Sequence, residues 1–234
     1  MSITLRSAHA RGHANHGWLD SWHTFSFADY YDPEQMGFGP LRVINDDTVQ
    51  PGGGFAPHGH RDMEIISYVI SGGLQHRDSL GGGSVIRPGD VQAISAGTGV
   101  RHSEFNASET EAVHFLQIWI QPDAKGVAPR NDQRHFPEAE RQGKLRLIAS
   151  RDGRDHSLPI HQDASLFATL LDVGACMTHG LRAGRSAWAQ IVTGAASING
   201  VELSAGDGAA IADERELRLQ SLAPRSQILL FDLP

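Results

Sequence analysis

Cysteine is nearly missing from this chain of 234 residues: Cys176 is the only one. A lone thiol closes no internal disulfide, which fits a reducing compartment, and it rules out a cysteine-rich structural zinc site. Long apolar runs are missing too; no stretch approaches the roughly 18 residues that a membrane-spanning helix needs. Met1–Gly12 has no apolar core of the kind a secretory leader carries, so the expected location is the cytoplasm. Basic residues are outnumbered, 20 Lys and Arg against 27 Asp and Glu, giving a formal net charge of −7. With no long basic run, direct nucleic-acid binding through a broad electrostatic footprint is not expected. Gly81-Gly82-Gly83 has neither a following helix pattern nor a lysine, so it reads as a turn and not a phosphate loop.

Helical periodicity is scarce as well. Short runs of β-branched and aromatic residues between Gly, Pro, Asp and Asn predict an all-β protein. Expected strands in the first half are Leu41–Ile44, Ile65–Ile70, Val91–Ser95, His102–Phe105 and Val113–Gln121. Those in the second half are Leu145–Ala149, Phe167–Val173, Ala187–Thr193, Ala195–Ile198, Ala209–Ala212, Leu217–Ser221 and Gln227–Asp232. Between Pro122 and Lys144 the composition turns to proline and charge, which opposes buried strand. The domain expectation is therefore 1–125, a crossing segment 126–144 with one helical turn near Glu138–Gly143, and 145–234. A faint repeat supports two related modules. Ser67-Tyr68-Val69-Ile70-Ser71-Gly72 is echoed by Ala189-Gln190-Ile191-Val192-Thr193-Gly194, and Pro88-Gly89-Asp90 by Ala205-Gly206-Asp207.

What the chain has in unusual number is histidine, 13 in all. In His58-Gly59-His60-Arg61-Asp62-Met63-Glu64, a strand would put His58 and His60 on one face, and Glu64 keeps that parity. His102-Ser103-Glu104 repeats the i, i+2 pairing. Imidazole nitrogen with carboxylate oxygen suits a divalent transition metal. His9, His13, His16 and His23 have helix-like spacing, but Gly12 and Gly17 interrupt it, so they read as surface imidazoles. Trp18, Trp22, Phe25, Phe27, Tyr30, Tyr31 and Phe38 form an aromatic segment that reads first as core and second as a pocket wall. His114, Gln92 and Gln117 are further candidates to face a pocket.

Gly52-x5-His58-x-His60-x3-Glu64 resembles the first cupin motif, with Ser71 where that motif places Gly and Gly72 next. The second cupin motif is approximated by Gly97, Gly99 and His102. More specifically the chain resembles the pirin family of bicupins, some bacterial members of which are quercetin 2,3-dioxygenases. The segments Phe25–Tyr31, Gly37–Asp47, Pro88–Gln92 and Ser95–Glu104 carry the likeness. It implies two tandem cupin (jelly-roll-like) β-barrels and a metal held by His58, His60, His102 and Glu104. Other cupins use the first-motif carboxylate, which makes Glu64 the alternative ligand, outer-sphere partner or base. No matching donors stand in the second half: Gly180 and Arg182 align with His58 and His60, and Leu219 and Ser221 with His102 and Glu104. His179 is the one imidazole nearby, so the second barrel is expected to be metal-free.

The implied activity is a metal-dependent dioxygenase that cleaves flavonols with O2 and releases CO, with Glu104 or Glu64 as the base. Fe(II) is the first expectation for the ion, with Ni, Cu, Mn, Co and Zn as alternatives. A flavonol-like molecule and O2 are the implied partners, and a monomer is the family-like default. The alternative is a metal- or redox-responsive regulator that docks on a transcription factor or a metabolic enzyme without catalysis.

Overall fold

A computed structural model of the chain describes residues 2–234. Two compact units divide it. One comprises 12–135 with 158–162; the other comprises 136–157 and 163–234 with the residues up to Arg11. The first strand, β1 (Ser2–Arg6), pairs antiparallel with a strand of the second unit, Leu5 opposite Ala209. The sequence expectation had assigned these residues to the first module. Chain order suggests that, but Ile3 packs against the second unit's core instead.

The first unit is built from two sheets. Its strands are β2 (Gly12–Asn15), β3 (Leu19–His23), β4 (Leu41–Val49), β5 (Gly54–His60), β6 (Glu64–Ser71) and β7 (Leu74–Asp78). They continue with β8 (Gly83–Ile86), β9 (Asp90–Ser95), β10 (Val100–Asn106), β11 (Val113–Ile120) and β12 (Arg130–His135). The large sheet runs β12-β9-β6-β11-β4-β3-β2 and the small one β5-β10-β7-β8. Val49, Val69 and Phe115 from the large sheet meet Leu74 and Ile86 from the small one in a single buried cluster. Truncating a ring such as Phe115, fully buried there, costs about 3–5 kcal/mol. Strand β12 lies inside the expected crossing segment. Its charges are tolerated because it is an edge strand whose side chains stay largely in water. The helical turn follows at α1 (Glu138–Arg141), introduced by Pro137.

The second unit repeats the plan. After β13 (Arg146–Ser150) the chain returns to the first unit for the two-residue β14 (Leu158–Pro159), and then come β15 (Ser165–Leu171), β16 (Cys176–Gly180), β17 (Ser186–Thr193) and β18 (Ala195–Ile198). The chain ends with β19 (Val201–Ser204), β20 (Gly208–Ala212), β21 (Glu216–Ser221) and β22 (Ser226–Leu233). Strands run β20-β17-β22-β15 in its large sheet, matching β9-β6-β11-β4 in the first, and β16-β21-β18-β19 in its small sheet. The echoed residues occupy matching places. Gly72 and Gly194 both turn the chain in the left-handed region, at φ 78° and 77°. A Cβ there would lie 2.7 Å from the Ala112 carbonyl oxygen and 2.6 Å from Ser226 Oγ, so both positions require glycine. Both units are thus cupin barrels, and the chain is a bicupin. The second barrel's interior is aliphatic: Leu217 and Leu219 of β21 pack on Ile191, Ile228 and Leu230.

Candidate metal centre and its cavity

The site begins with a flaw in strand pairing. Strands β5 and β10 run antiparallel with His102 opposite His58, but Glu104 sits opposite Phe55. One β10 residue therefore faces two on β5, Ala56 and Pro57, which makes a β-bulge. Proline is at home there because it has no N–H to give the ladder. The bulge brings the Ala56 carbonyl within 2.9 Å of His58 Nδ1, which donates to it and leaves Nε2 as a lone pair facing inward. His60, two residues on, shares that face.

Three imidazoles converge as a result. His58, His60 and His102 each offer a ring nitrogen within 4.8 Å of the others. Their ring centroids are 4.5–4.8 Å apart. His102 is buried, and its Nε2 has no hydrogen-bond partner. A buried ring nitrogen with no partner in the protein is costly unless an ion or water binds it. Burial, helped by the neighbouring rings, pushes His60 down to about 4 and His102 down to about 3, so both are neutral donors near pH 7. The donor set is that of a divalent transition-metal site.

Glu104 stands outside the three-imidazole group but opens into the same cavity. Its Oε2 accepts from Gln117 Nε2 at 2.9 Å and its Oε1 from Ser67 Oγ at 3.3 Å. Burial raises this carboxyl to about 7, against the opposing pull of those two hydrogen bonds. Gln117 thus faces the cavity as the sequence suggested. His114 is paired instead with Asp46 on the other face of the sheet, as the alternation along β11 demands.

Glu64 is elsewhere. Asp62, at φ 47°, turns the chain between β5 and β6, which belong to different sheets, so the parity running from His60 to Glu64 is broken. Glu64 accepts from Ser95 Oγ at 2.7 Å and from the His161 backbone, near Arg130, and does not line the cavity. Burial holds its carboxyl above the usual range.

His76, which the sequence reading passed over, is fully buried with Nε2 3.2 Å from His102 Nδ1. With His102 Nε2 turned to the site, His102 Nδ1–H donates to His76. Asp78 Oδ2 lies 3.9 Å behind His76 Nδ1. The signal was present as His76-Arg77-Asp78, an i, i+2 pair on the strand beside β10.

Above the imidazoles lies a cavity of about 700 Å³, a size suited to a small organic ligand. Trp18, Phe27, Tyr30, Phe55 and Trp119 supply its aromatic walls. The aromatic segment therefore divides: Phe25 is core, Tyr31 is exposed, and Trp18, Phe27 and Tyr30 wall the cavity. His13, His16 and His23 also line it, contrary to the surface reading. They belong to a hairpin and its turn, not a helix, and Gly12 is required because a Cβ would fall 2.2 Å from the Tyr30 ring. In the second unit His179 Nε2 is 3.0 Å from Asp232 Oδ2, beside Arg185, as part of an ion-pair cluster.

Twin cupin barrels with an imidazole cluster in the first define a bicupin with one candidate metal centre among the described residues. The family model Pirin matches residues 4–120, and Quercetinase C-terminal cupin domain matches 147–233. Quercetin 2,3-dioxygenase of Escherichia coli (strain K12) is 51% identical over 232 residues, 99% of each chain. A pirin-like protein of Caulobacter vibrioides is 44% identical over 94% of each. The crystal structure of bacterial pirin YhhW from Escherichia coli in complex with nickel(II) matches with a TM-score of 0.95 at 50% identity, covering 100% of this chain and 99% of that one. The chain belongs to the pirin family.

Proposed function

We propose that this protein is a metal-dependent, ring-cleaving dioxygenase of the quercetin 2,3-dioxygenase type. The observation that carries the reading is a three-imidazole cluster, with His58 and His60 half-buried and His102 buried, opening beside Glu104 into an aromatic-walled cavity. The relative named quercetin 2,3-dioxygenase, at 51% identity over nearly all of both chains, supports it. His58, His60, His102 and Glu104 hold the ion; Fe(II) is the first candidate, and Ni, Cu, Mn, Co and Zn the others. When bound, such an ion supplies Lewis acidity toward a substrate hydroxyl and a centre at which O2 and the electron-rich ring react.

The protein's own share follows from its side chains. Glu104, beside the imidazoles on the cavity wall, takes the proton of the substrate's 3-hydroxyl. Gln117 and Ser67 fix which way its oxygens point. His76 sets the ring plane of His102. Trp119 and Phe27, edge to face at 5.4 Å, give a flat ligand an apolar wall and displace water. In the overall reaction both oxygen atoms of O2 end in the products: the central ring opens, one of its carbons leaves as CO, and the rest becomes an ester-linked acid.

The test is elemental analysis of freshly purified protein, then aerobic incubation of the metal-loaded form with quercetin while the flavonol absorbance and evolved CO are followed. Loss of absorbance with stoichiometric CO is expected. Absence of turnover in protein shown to carry each candidate metal in turn would overturn the reading.

A further inference from the structure

The cavity has a second polar wall that the proposed chemistry leaves idle. Strands β3 and β4 place Ser21 opposite Asp47 and His23 opposite Asn45. All four side chains are buried, and all four line the cavity. Ser21 Oγ donates to Asp47 Oδ1 and lies 2.9 Å from His23 Nε2. Asn45 Oδ1 has no hydrogen-bond partner. Asp47 is near enough to Glu104 for the two carboxylates to repel, so both face one chamber.

Polar groups withdrawn from water cost free energy unless their bonds are completed. Across the same barrel Val49, Val69 and Phe115 fill equivalent inward positions with hydrocarbon. Packing alone would therefore favour aliphatics at these sites too. The wall is also rich in acceptors. Ser21 has spent its proton on Asp47, and the unpartnered Asn45 Oδ1 and the Asp47 carboxylate present oxygens. Such a surface accepts hydrogen bonds from a ligand, and it penalises an analogue that brings no donor because its own acceptors then stay unpaired.

We propose that Asp47, with Ser21 and Asn45, forms a specificity subsite for a second hydroxyl of the substrate, so that the preferred ligands are polyhydroxylated aromatics. This rests on the cavity being an aromatic-substrate site, as proposed above. Asp47 receives one ring hydroxyl while another faces the imidazoles and Glu104.

Binding without turnover tests it. Metal-loaded protein is titrated in the absence of O2 with quercetin and with flavonols lacking, or O-methylated at, one ring hydroxyl at a time. Quenching of tryptophan fluorescence reports occupancy, since Trp18 and Trp119 wall the cavity. The unaltered protein is expected to lose about tenfold in affinity or more at one hydroxyl other than the 3-hydroxyl. Asp47→Asn is expected to erase that preference, weakening quercetin while binding the depleted analogue as before. Ser21→Ala, a smaller change, should reduce the preference in the same direction and carries the test if Asp47→Asn fails to fold. Equal weakening of both ligands, or of neither, overturns the inference. A preference that vanishes in Asp47→Asn, in protein that never opens quercetin in air, supports this subsite and sinks the dioxygenase reading. Turnover in air with no hydroxyl preference does the reverse.

Discussion

Replacing His76 by leucine probes the metal centre without touching any group that would contact the ion. His76 is fully buried and accepts from His102 Nδ1 across 3.2 Å. In metal-free His76→Leu protein the His102 ring can move its proton to Nε2, toward the cavity, and little is lost. Metal binding needs the Nε2 lone pair, so it forces the proton back to Nδ1, where leucine offers no acceptor. The unmade buried hydrogen bond costs about 1–3 kcal/mol, and nearly all of it falls on the bound state. At about 1.4 kcal/mol per decade, metal affinity should drop by roughly 10- to 100-fold, the range usual for a lost outer-sphere partner. His76→Gln can present an amide oxygen to Nδ1 and should recover most of the loss. Competition against a chromogenic chelator with Ni(II) or Fe(II) measures both, with thermal melting to confirm folding. Unchanged affinity in a folded leucine variant would refute the argument, as would a glutamine variant no better than leucine.

Three further outcomes follow from the same geometry. Glu104→Gln should abolish turnover and weaken metal retention, whereas Glu64→Gln should leave both within about twofold, because Glu64 is tied to Ser95 and His161 outside the cavity; equal losses in turnover and in metal content by elemental analysis would contradict this. Burial already keeps His60 and His102 deprotonated, with values of about 4 and about 3, so in metal-free protein these two imidazoles should stay neutral well below the ordinary imidazole pKa; their ring C–H resonances followed by NMR across pH should show no titration above about pH 5.5, and a titration near 6.5 would refute the assigned shifts. Asp47 is raised from 3.8 to about 7, mainly by burial, so the folded state binds this proton more tightly than the unfolded state. Its stabilising contribution is complete below pH 3.8 and is lost as pH climbs through 7. The melting temperature of metal-free Asp47→Asn, relative to the unaltered protein, should therefore rise between pH 4 and pH 8, and a difference that stays flat would contradict the shift.

Much of the fold was legible because the strongest strands carry their own pattern. Val113–Ile120 and Ser186–Thr193 are rich in β-branched and aromatic residues and were found to within a residue or so. Strand β5 escaped because Gly54-Phe55-Ala56-Pro57 lacks that pattern, and it exists because β10 pairs with it. Strand β12 escaped because its charges resemble a linker, which an edge position permits. The His-x-His and His-x-Glu pairs were legible because side-chain alternation is local. Glu64 misled the same argument, since one residue in a left-handed turn ends the local rule.

Composition and short-range spacing were enough to establish an all-β chain, two related modules and an unusual supply of metal-type donors, because each depends on residues near one another in sequence. Which donors meet, that His76 stands behind His102, and that Ser21 and Asp47 share a cavity with Glu104 depend on pairings between strands many residues apart. Those pairings are set by strand register and by the bulge between β5 and β10, and no window of sequence contains them.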